Sequence, residues 1–531
     1  MSTVLRVPTR TPQSIHASRL IVATNRGPVE YYLSQEHDLK HRRGPGGVVT
    51  ALTGANSNMD VTWVAMAMTE ADRIVAKDAQ QHEGVMRSPL PGQNMLLRYV
   101  AIPKAAYRKH YEEISNQLLW FLQHYLYDPT ENFQSAQKLQ DAWKNGYCVA
   151  NRAIADAVCA EVERGEGTPV VMLHDYHLYL APAMIREQHP TIIMQQFIHI
   201  PWPDIRCWQF LPGNIAQAIY NGLVGNDIIG FQTERDAHNF LEGARTLLEG
   251  SVVDFEESAI WWQGHRTQVH AYPISISVAD EKRLAQGLAG RRAVNKLSPL
   301  LREQTIVRVD RIEPTKNILR GFQAYALMLD EHPELHGKVR FLAFLVPSRQ
   351  TLAKYKRYTS EVKKLVEEIN QRYGTEDWTP IHAFYENDRI QALAAMQHYD
   401  ALLVNPIIDG MNLVAKEGPV VNKCDGVLVL SRTAGAFQQL GKFSLPVTPT
   451  DVTDTAEALY TALTMPATER HAMSTQARQT VENQDLNAWL QRQISDINGL
   501  LDRLPARILT HKVMVNLSSA SSPSPSPVAV G

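Results

Sequence analysis

Short, continuous apolar runs recur along the chain. Each is closed by turn residues and followed by a longer stretch with helical spacing. The runs are Leu20–Thr24, Pro169–Leu173, Ile306–Val309, Arg340–Leu345, Ala401–Val404 and Gly426–Leu430. Strands that are apolar on both faces and separated by helices predict parallel sheets covered on both sides, an α/β fold. Ligands of such sheets bind beyond the carboxyl ends of the strands, so the residues just after each run are the first candidates for chemistry. The run Gln268–Ser277 leads into a polar helical stretch, Ala279–Gly290, and is read as the junction between two α/β units. The segment Ala456–Leu504 reads as further helices. No internal repeat of fixed period is present, so the two halves are not copies of one another.

Composition narrows the class without naming it. The chain has 531 residues, enough for two domains of roughly 200–250 residues each. Apolar residues make up 44% and charged residues 20%, with a net charge of −2. That balance is ordinary for a globular protein and carries no electrostatic footprint for nucleic acid. Cys148, Cys159, Cys207 and Cys424 lack the close spacing of a zinc or redox motif and read as reduced thiols of a cytoplasmic protein. The N-terminal residues lack the apolar core of a signal peptide. No run approaches the ~18 apolar residues of a membrane helix.

The most informative motif is Asp409–Glu417, DGMNLVAKE, which follows the run ending at Val404. Gly410 permits tight backbone geometry. The amides of Gly410, Met411, Asn412, Leu413 and Val414 would open a helix and point at an anion, so the loop could hold a diphosphate without a metal. Glu417 lies two turns further on, where a carboxylate could accept from ribose hydroxyls. From this segment alone, a strand–turn–helix with a capping Asp reads equally well. A second loop, Val309–Asn317, carries Arg311 and Lys316, five residues apart, and both could reach one anionic group. A leaving diphosphate needs such a clamp, because its charge grows in the transition state. A solvated loop is the competing reading.

Three further strand ends carry polar groups. In HDYHL (His174–Leu178), Asp175 can hold a sugar hydroxyl; His174 and His177 have metal-like spacing but no third ligand nearby. In FIHIPWP (Phe197–Pro203), a strand delivers His199 into a Pro-bounded turn, where a structural histidine would serve as well. The first strand feeds Arg26 and then a glycine loop containing Gly44, Gly46 and Gly47, which is not a GxGxxG fingerprint. Arg349 follows another strand. Tyr111 and Trp120 share a helical stretch and could equally serve the core. There is no DxD pair, GxSxG elbow, HExxH or Walker loop, which removes several enzyme classes.

Taken in order, NRGPV, the glycine loop, SNQLLW with HY, HDYHL with PAM-R, HIPWP, IGFQT, VDR-x4-K, PSR, and DGMNLVAKE with GVLVLS and AGA resemble the trehalose-6-phosphate synthases, glycosyltransferase family 20. The matched blocks run from about Arg19 to about Gly441. The resemblance implies the GT-B fold, two Rossmann-like domains facing a cleft. The polar residues 1–18 are read from composition as an irregular extension, and the resemblance implies an acceptor-binding domain over 19–275 and a nucleotide-sugar-binding domain over 276–483. A C-terminal helix over 484–510 would return to the first domain, and the Ser/Pro-rich composition of 511–531 predicts a disordered tail. The resemblance also implies metal-independent transfer of glucose, with retention, from UDP- or GDP-glucose to glucose 6-phosphate.

Carried over by position, Arg311 and Lys316 would hold the donor diphosphate and Glu417 the ribose. Gly410–Val414 would complete the donor site, and Gly47 would close over it. Asp409 and His199 would contact the transferred glucose. Asp175 would bind the acceptor sugar, and Arg26, Tyr111, Trp120 and Arg349 its phosphate. No cofactor or metal is implied, only the two small-molecule substrates. A homo-oligomer is compatible with the sequence. No phosphatase motif is seen, so a separate phosphatase would act on the product. Closure on donor binding is expected to bend near Ile274–Ala279 and near Gln484.

Four positions depart from the family's usual residues. Met66 replaces the second Trp of W-x-G-W, Ile408 an Arg and Ser275 a Gly. Glu313–Asn317 (EPTKN) replaces DYSKG. The donor base and the acceptor stay open on these grounds. A glucosylglycerol-phosphate synthase or a pseudo-glycosyltransferase is the alternative reading. A non-catalytic sugar-phosphate sensor is disfavoured by the presence of Asp175, Arg311, Lys316 and Glu417.

Overall fold

The computed structural model describes residues 14–44, 59–92, 94–129, 135–167, 169–350 and 352–503. Gly46, Gly47 and the Ser/Pro-rich tail lie outside these residues. Two large sheets organise the described residues. The first has ten strands in the spatial order Val252–Asp254, Ala259–Trp262, His265–Ala271, Ile228–Phe231, Ile193–Phe197, Val170–His174, Arg19–Thr24, Asp60–Met66, Met95–Val100 and Met86–Arg87. Its central strands, from His265–Ala271 to Met95–Val100, are parallel, and the edges are antiparallel. The second sheet is parallel throughout. Its order is Ile381–Phe384, Val339–Val346, Gln304–Arg311, Ala401–Val404, Val427–Ser431 and Leu445–Val447. A small hairpin, Val29–Leu33 with Leu39–Arg43, stands beside the first sheet.

Strand order locates the chemistry. In the second sheet the chain builds outward from Gln304–Arg311 in one direction. It then returns to the other side of that strand with Ala401–Val404. Two neighbouring strands whose following connections run to opposite sides leave a crevice at their carboxyl ends. The loops after these two strands carry Arg311, Lys316 and Asp409. The first sheet reverses in the same way between Arg19–Thr24 and Val170–His174, whose loops carry Arg26 and Asp175.

The helix Leu486–Leu501 joins the halves. Asp485 caps it by accepting from the Ala488 amide at 2.9 Å. Leu486, Trp489, Leu490, Gln493, Ile494 and Ile497 form its buried stripe at helical spacing. Ile494 and Ile497 are fully buried, each contributing about 1.5–3 kcal/mol. The stripe lies on the first sheet. Trp489 packs edge-on against Phe197 at 5.3 Å and donates to the Tyr272 carbonyl, and Gln493 pairs with Gln195 at 2.8 Å. One apolar cluster runs from Leu20 and Phe197 through Trp489 to Val404 and Leu430 of the second sheet.

The chain passes between the sheets twice, and the two passages touch: the Leu486 amide donates to the Ile276 carbonyl at 2.9 Å. Lys416 closes the same junction, its buried ammonium donating to the Ile274 carbonyl and to Gln439 Oε1. Among the described residues no helix is long and apolar enough to cross a membrane.

Local structure differs from the sequence reading in three places. The stretch 279–290 is two helices, Val278–Gln286 and Leu288–Leu297, broken at Gly287, whose extended backbone (ψ 171°) cannot continue a helix. The helix after Asp409 begins at Val414 rather than at Gly410, because Asn412 has φ 70°. The stretch bearing Tyr111 is wound in wide turns over Lys109–Leu119; the Trp120 amide donates to Ser115, five residues back.

Candidate active site

At the second sheet's crevice, Lys316 Nζ lies 2.5 Å from Asp409 Oδ2. Burial disfavours both charges. Asp409 and Asp310 nevertheless lift the lysine pKa above its ordinary value, and Lys316 brings Asp409 below the ordinary carboxylate value. The pair is therefore ionised on both sides, and Asn412 Nδ2 donates to the same carboxylate oxygen at 3.1 Å. Beneath it, the fully buried Arg308 pairs with Asp310 at 2.9 Å. Arg308 also donates to the Lys316 carbonyl and to Asn405 Oδ1, tying the loops of both switch-point strands together. The loop Gly410–Leu413 runs into the helix Val414–Val421, and Asn412 Oδ1 accepts from the Ala415 amide at 3.3 Å. The Lys416 and Glu417 amides donate to the Leu413 carbonyl, so the amides that suit an anion are those of the loop ahead of them and of Val414. Glu417 sits beside Arg389 (3.5 Å) and buried Glu281. Burial, and then Glu281, push its carboxyl up to about 7.

The two halves meet at backbone distance. A Cβ on Gly410 would stand 2.3 Å from the His199 carbonyl oxygen, so only glycine permits this approach. Gly435 is packed as tightly against Gly410 from behind. Two arginines also cross the cleft. The Arg349 guanidinium lies 4.1 Å, and that of Arg311 5.7 Å, from the ring centroid of Trp120. Tyr355 follows them, bonded to Arg349 at 2.7 Å and packed edge-on against Phe121.

On the first sheet's side, Asp175 has φ 73°, a conformation costing a non-glycine residue ~1–3 kcal/mol. Its amide donates to the Phe197 carbonyl, and its carboxylate accepts from the His199 amide at 3.4 Å. The two strand ends are thus joined. Burial raises the Asp175 carboxyl to about 7, opposed by backbone amides and by Arg349. Burial lowers His199 to about 4, so its imidazole is neutral at pH 7; Nε2 faces His174 Nδ1 at 3.3 Å. Tyr111 stacks between Tyr107 and His177, with ring centroids 5.6 and 5.8 Å away. Trp120 stacks on His124 at 4.1 Å.

The structure therefore brings Lys316, Asp409, Gly410, Met411, Asn412, Leu413, Val414 and Glu417 onto one loop system. Arg311, Arg349 and Trp120 meet across the cleft, and Asp175 joins His199. Arg26 sits at the rim, half-exposed and paired with Glu30 at 2.9 Å, and its charge is felt at His177 and Tyr107, the two rings beside Tyr111. Gly47 lies outside the described residues. Three groups escaped the sequence reading, Arg308, Tyr355 and Arg389, and His124 entered it only within the matched block HY. Arg308 left a signal, a lone charge inside an apolar strand, and His124 stands one helical turn after Trp120. Tyr355 and Arg389 left none. Among the described residues no group of three or more His, Cys, Asp or Glu side chains is placed to hold a metal ion.

Two Rossmann-like sheets with facing switch points make the GT-B fold of glycosyltransferases. A profile described as glycosyltransferase family 20 matches residues 18–499, and the chain belongs to that family. A trehalose-6-phosphate synthase of Citrobacter koseri is 31% identical over 423 residues, covering 79% of this chain and 86% of that one. A validamine 7-phosphate valienyltransferase of Streptomyces hygroscopicus subsp. jinggangensis is 28% identical over 461 residues, covering 85% and 88%. The structure of the E. coli trehalose-6-phosphate protein bound with UDP-2-fluoro glucose superposes with a TM-score of 0.77 at 26% identity, covering 91% of this chain and 99% of that one.

Proposed function

We propose that this glycosyltransferase moves glucose from a nucleotide-glucose to glucose 6-phosphate with retention, giving α,α-trehalose 6-phosphate and a nucleoside diphosphate. The observation that carries the reading is the convergence of Arg311 and Arg349 on Trp120. The two cations end neighbouring strands, and one reaction with a phosphate on each substrate needs both. Arg311 and Lys316 would clamp the donor diphosphate, helped by the amides of Gly410–Val414, and Glu417 would accept from the ribose. Asp409 and neutral His199 would hold the transferred glucose. Asp175 would hold the acceptor sugar, and Arg349, Trp120, Tyr111 and Arg26 its phosphate. The half over 19–275 would serve the acceptor and the half over 276–483 the donor, with 484–510 returning to the first.

No enzyme nucleophile is required. As the glycosidic C–O bond breaks, the leaving diphosphate oxygen takes the proton of the incoming hydroxyl on the same face of the sugar. Arg311 and Lys316 neutralise the charge that grows on the diphosphate. The chain's own groups then supply positioning and charge, and neither a metal nor another cofactor is needed. The setting proposed is the cytoplasm, with a separate phosphatase acting on the product.

A second reading rests on the valienyltransferase relative. Its name shares with the synthases a phosphate ester on a ring, so the phosphate-binding group would serve either acceptor while the ring differs. Release of nucleoside diphosphate from UDP-, GDP- and ADP-glucose, measured with glucose 6-phosphate and then with validamine 7-phosphate, tests both. Turnover with the first acceptor is expected. Turnover confined to the second would favour a sister enzyme, and none with any pair would refute the reading.

A further inference from the structure

Glu313 is fully buried, in the turn between the two residues of the diphosphate clamp. Its amide donates to the Arg311 carbonyl at 2.8 Å and its carbonyl accepts from the Lys316 amide at 3.0 Å, so its backbone fixes the turn. Its side chain points between the two arginines that cross the cleft. Oε1 lies 3.1 Å from Arg311 Nη1 and 4.0 Å from Arg349 Nη1, and it accepts from Ser348 Oγ at 2.8 Å. Oε2 has no partner among the described residues. Burial raises the carboxyl, but Arg311, Arg349 and Lys316 outweigh burial and hold it below the ordinary value.

Two like charges gathered at one aromatic face repel each other, and an unpaired buried charge is costly. A carboxylate between them offsets both effects and fixes how each guanidinium faces the cleft. We propose that Glu313 is a positioning residue that aligns Arg311 and Arg349 together, setting the spacing between the donor-diphosphate site and the acceptor-phosphate site. This rests on the assignment of those two arginines in the proposed function. Glu313 itself touches neither substrate.

The charge makes the test signed. A carboxylate that merely stood near the phosphates would repel them, and removing it would tighten both ligands. Positioning requires the reverse. Calorimetric titration of the full chain with UDP, and separately with glucose 6-phosphate, compares wild type with Glu313→Gln. Both affinities are expected to fall by about tenfold, the worth of one charge-assisted hydrogen bond. A lower melting temperature is expected as well, because Gln removes the counter-charge of two guanidiniums and buries an amide donor without an acceptor, so binding is measured well below the melting range. Glu313→Asp, one methylene short but charged, should recover part of both losses. Unchanged or tighter binding in Glu313→Gln, or loss of one ligand alone, overturns the proposal. If Glu313→Gln melts too early to be titrated, Glu313→Asp decides by the same criterion, joint weakening supporting and anything else overturning. A wild-type chain that binds neither ligand overturns the functional reading and this inference together; one that binds both, beside an unaffected variant, overturns this inference alone.

Discussion

The guanidinium of Arg349 lies 4.1 Å from the ring centroid of Trp120, although the two residues belong to opposite sides of the cleft. The contact joins the end of a strand in the second sheet to a helix packed on the first. Cation–π attraction of this kind is worth ~0.5–2 kcal/mol. Trp120→Leu should therefore weaken glucose 6-phosphate by about 2- to 30-fold, with a smaller change in KM for the nucleotide sugar. Steady-state kinetics with each substrate varied in turn checks this. Equal losses for both substrates would mean that Trp120 serves the fold and not the acceptor phosphate.

Gly410 faces the His199 carbonyl with no room for a methyl group. Gly410→Ala should force the loop away from the acceptor side by a fraction of an ångström or more. A displacement of about 1 Å at a reacting centre can cost on the order of a hundredfold in kcat/KM. Thermal stability should fall too, because Met411 beside Gly410 belongs to the apolar cluster, so kcat/KM is compared well below the melting range. Wild-type activity in this variant would contradict the tight meeting of the two halves.

Glu417 carries a carboxyl raised to about 7 by burial and by Glu281. If the ionised form accepts from the ribose, protonation competes with nucleotide binding. UDP affinity should rise as pH increases from 6 to 8 and level off above, with protons released on binding below pH 7. Titrations in buffers of different ionisation enthalpy would count those protons. Glu417→Gln should bind more weakly and flatten the profile; an unaltered profile would count against the ribose assignment.

Lys416 is buried at the junction of the two passages between sheets, and desolvation lowers its pKa to about 7. Between about pH 7 and the unfolded value near 10.4, the unfolded chain holds a proton that the folded one has lost. Stability from this group therefore rises with pH across that window and is flat below it. Lys416→Met should remove that part of the slope whatever it does to the absolute melting temperature. Parallel slopes in calorimetric scans from pH 6 to 9 would show that Lys416 keeps its charge.

Both crevices were legible in the sequence because their strands are apolar on both faces. The polar residues that follow Val309, Leu173 and Val404 stand out against such runs. Lys316 and Asp409 were found this way, one loop at a time, but their ion pair was not, since nothing in either loop reports its neighbour. Trp120 was harder. Its stretch reads as an amphipathic helix, and an aromatic ring on the buried face of such a helix fits a core role as well as a site. Lys416 was hidden because, on a short helix between apolar residues, a buried lysine has the same local pattern as a solvated one. Glu313 read only as a departure from a motif, because its two arginine partners lie on different strands.

The product itself tests the central claim most directly. Incubation with a nucleotide α-glucose and glucose 6-phosphate, followed by proton NMR of the phosphorylated disaccharide, reads both acceptor and stereochemistry. The proposed reaction predicts two α-anomeric signals of a 1,1-linked disaccharide carrying one phosphate, formed in step with nucleoside diphosphate. A β-anomeric signal, a linkage to another hydroxyl, or free glucose as the main product would contradict it.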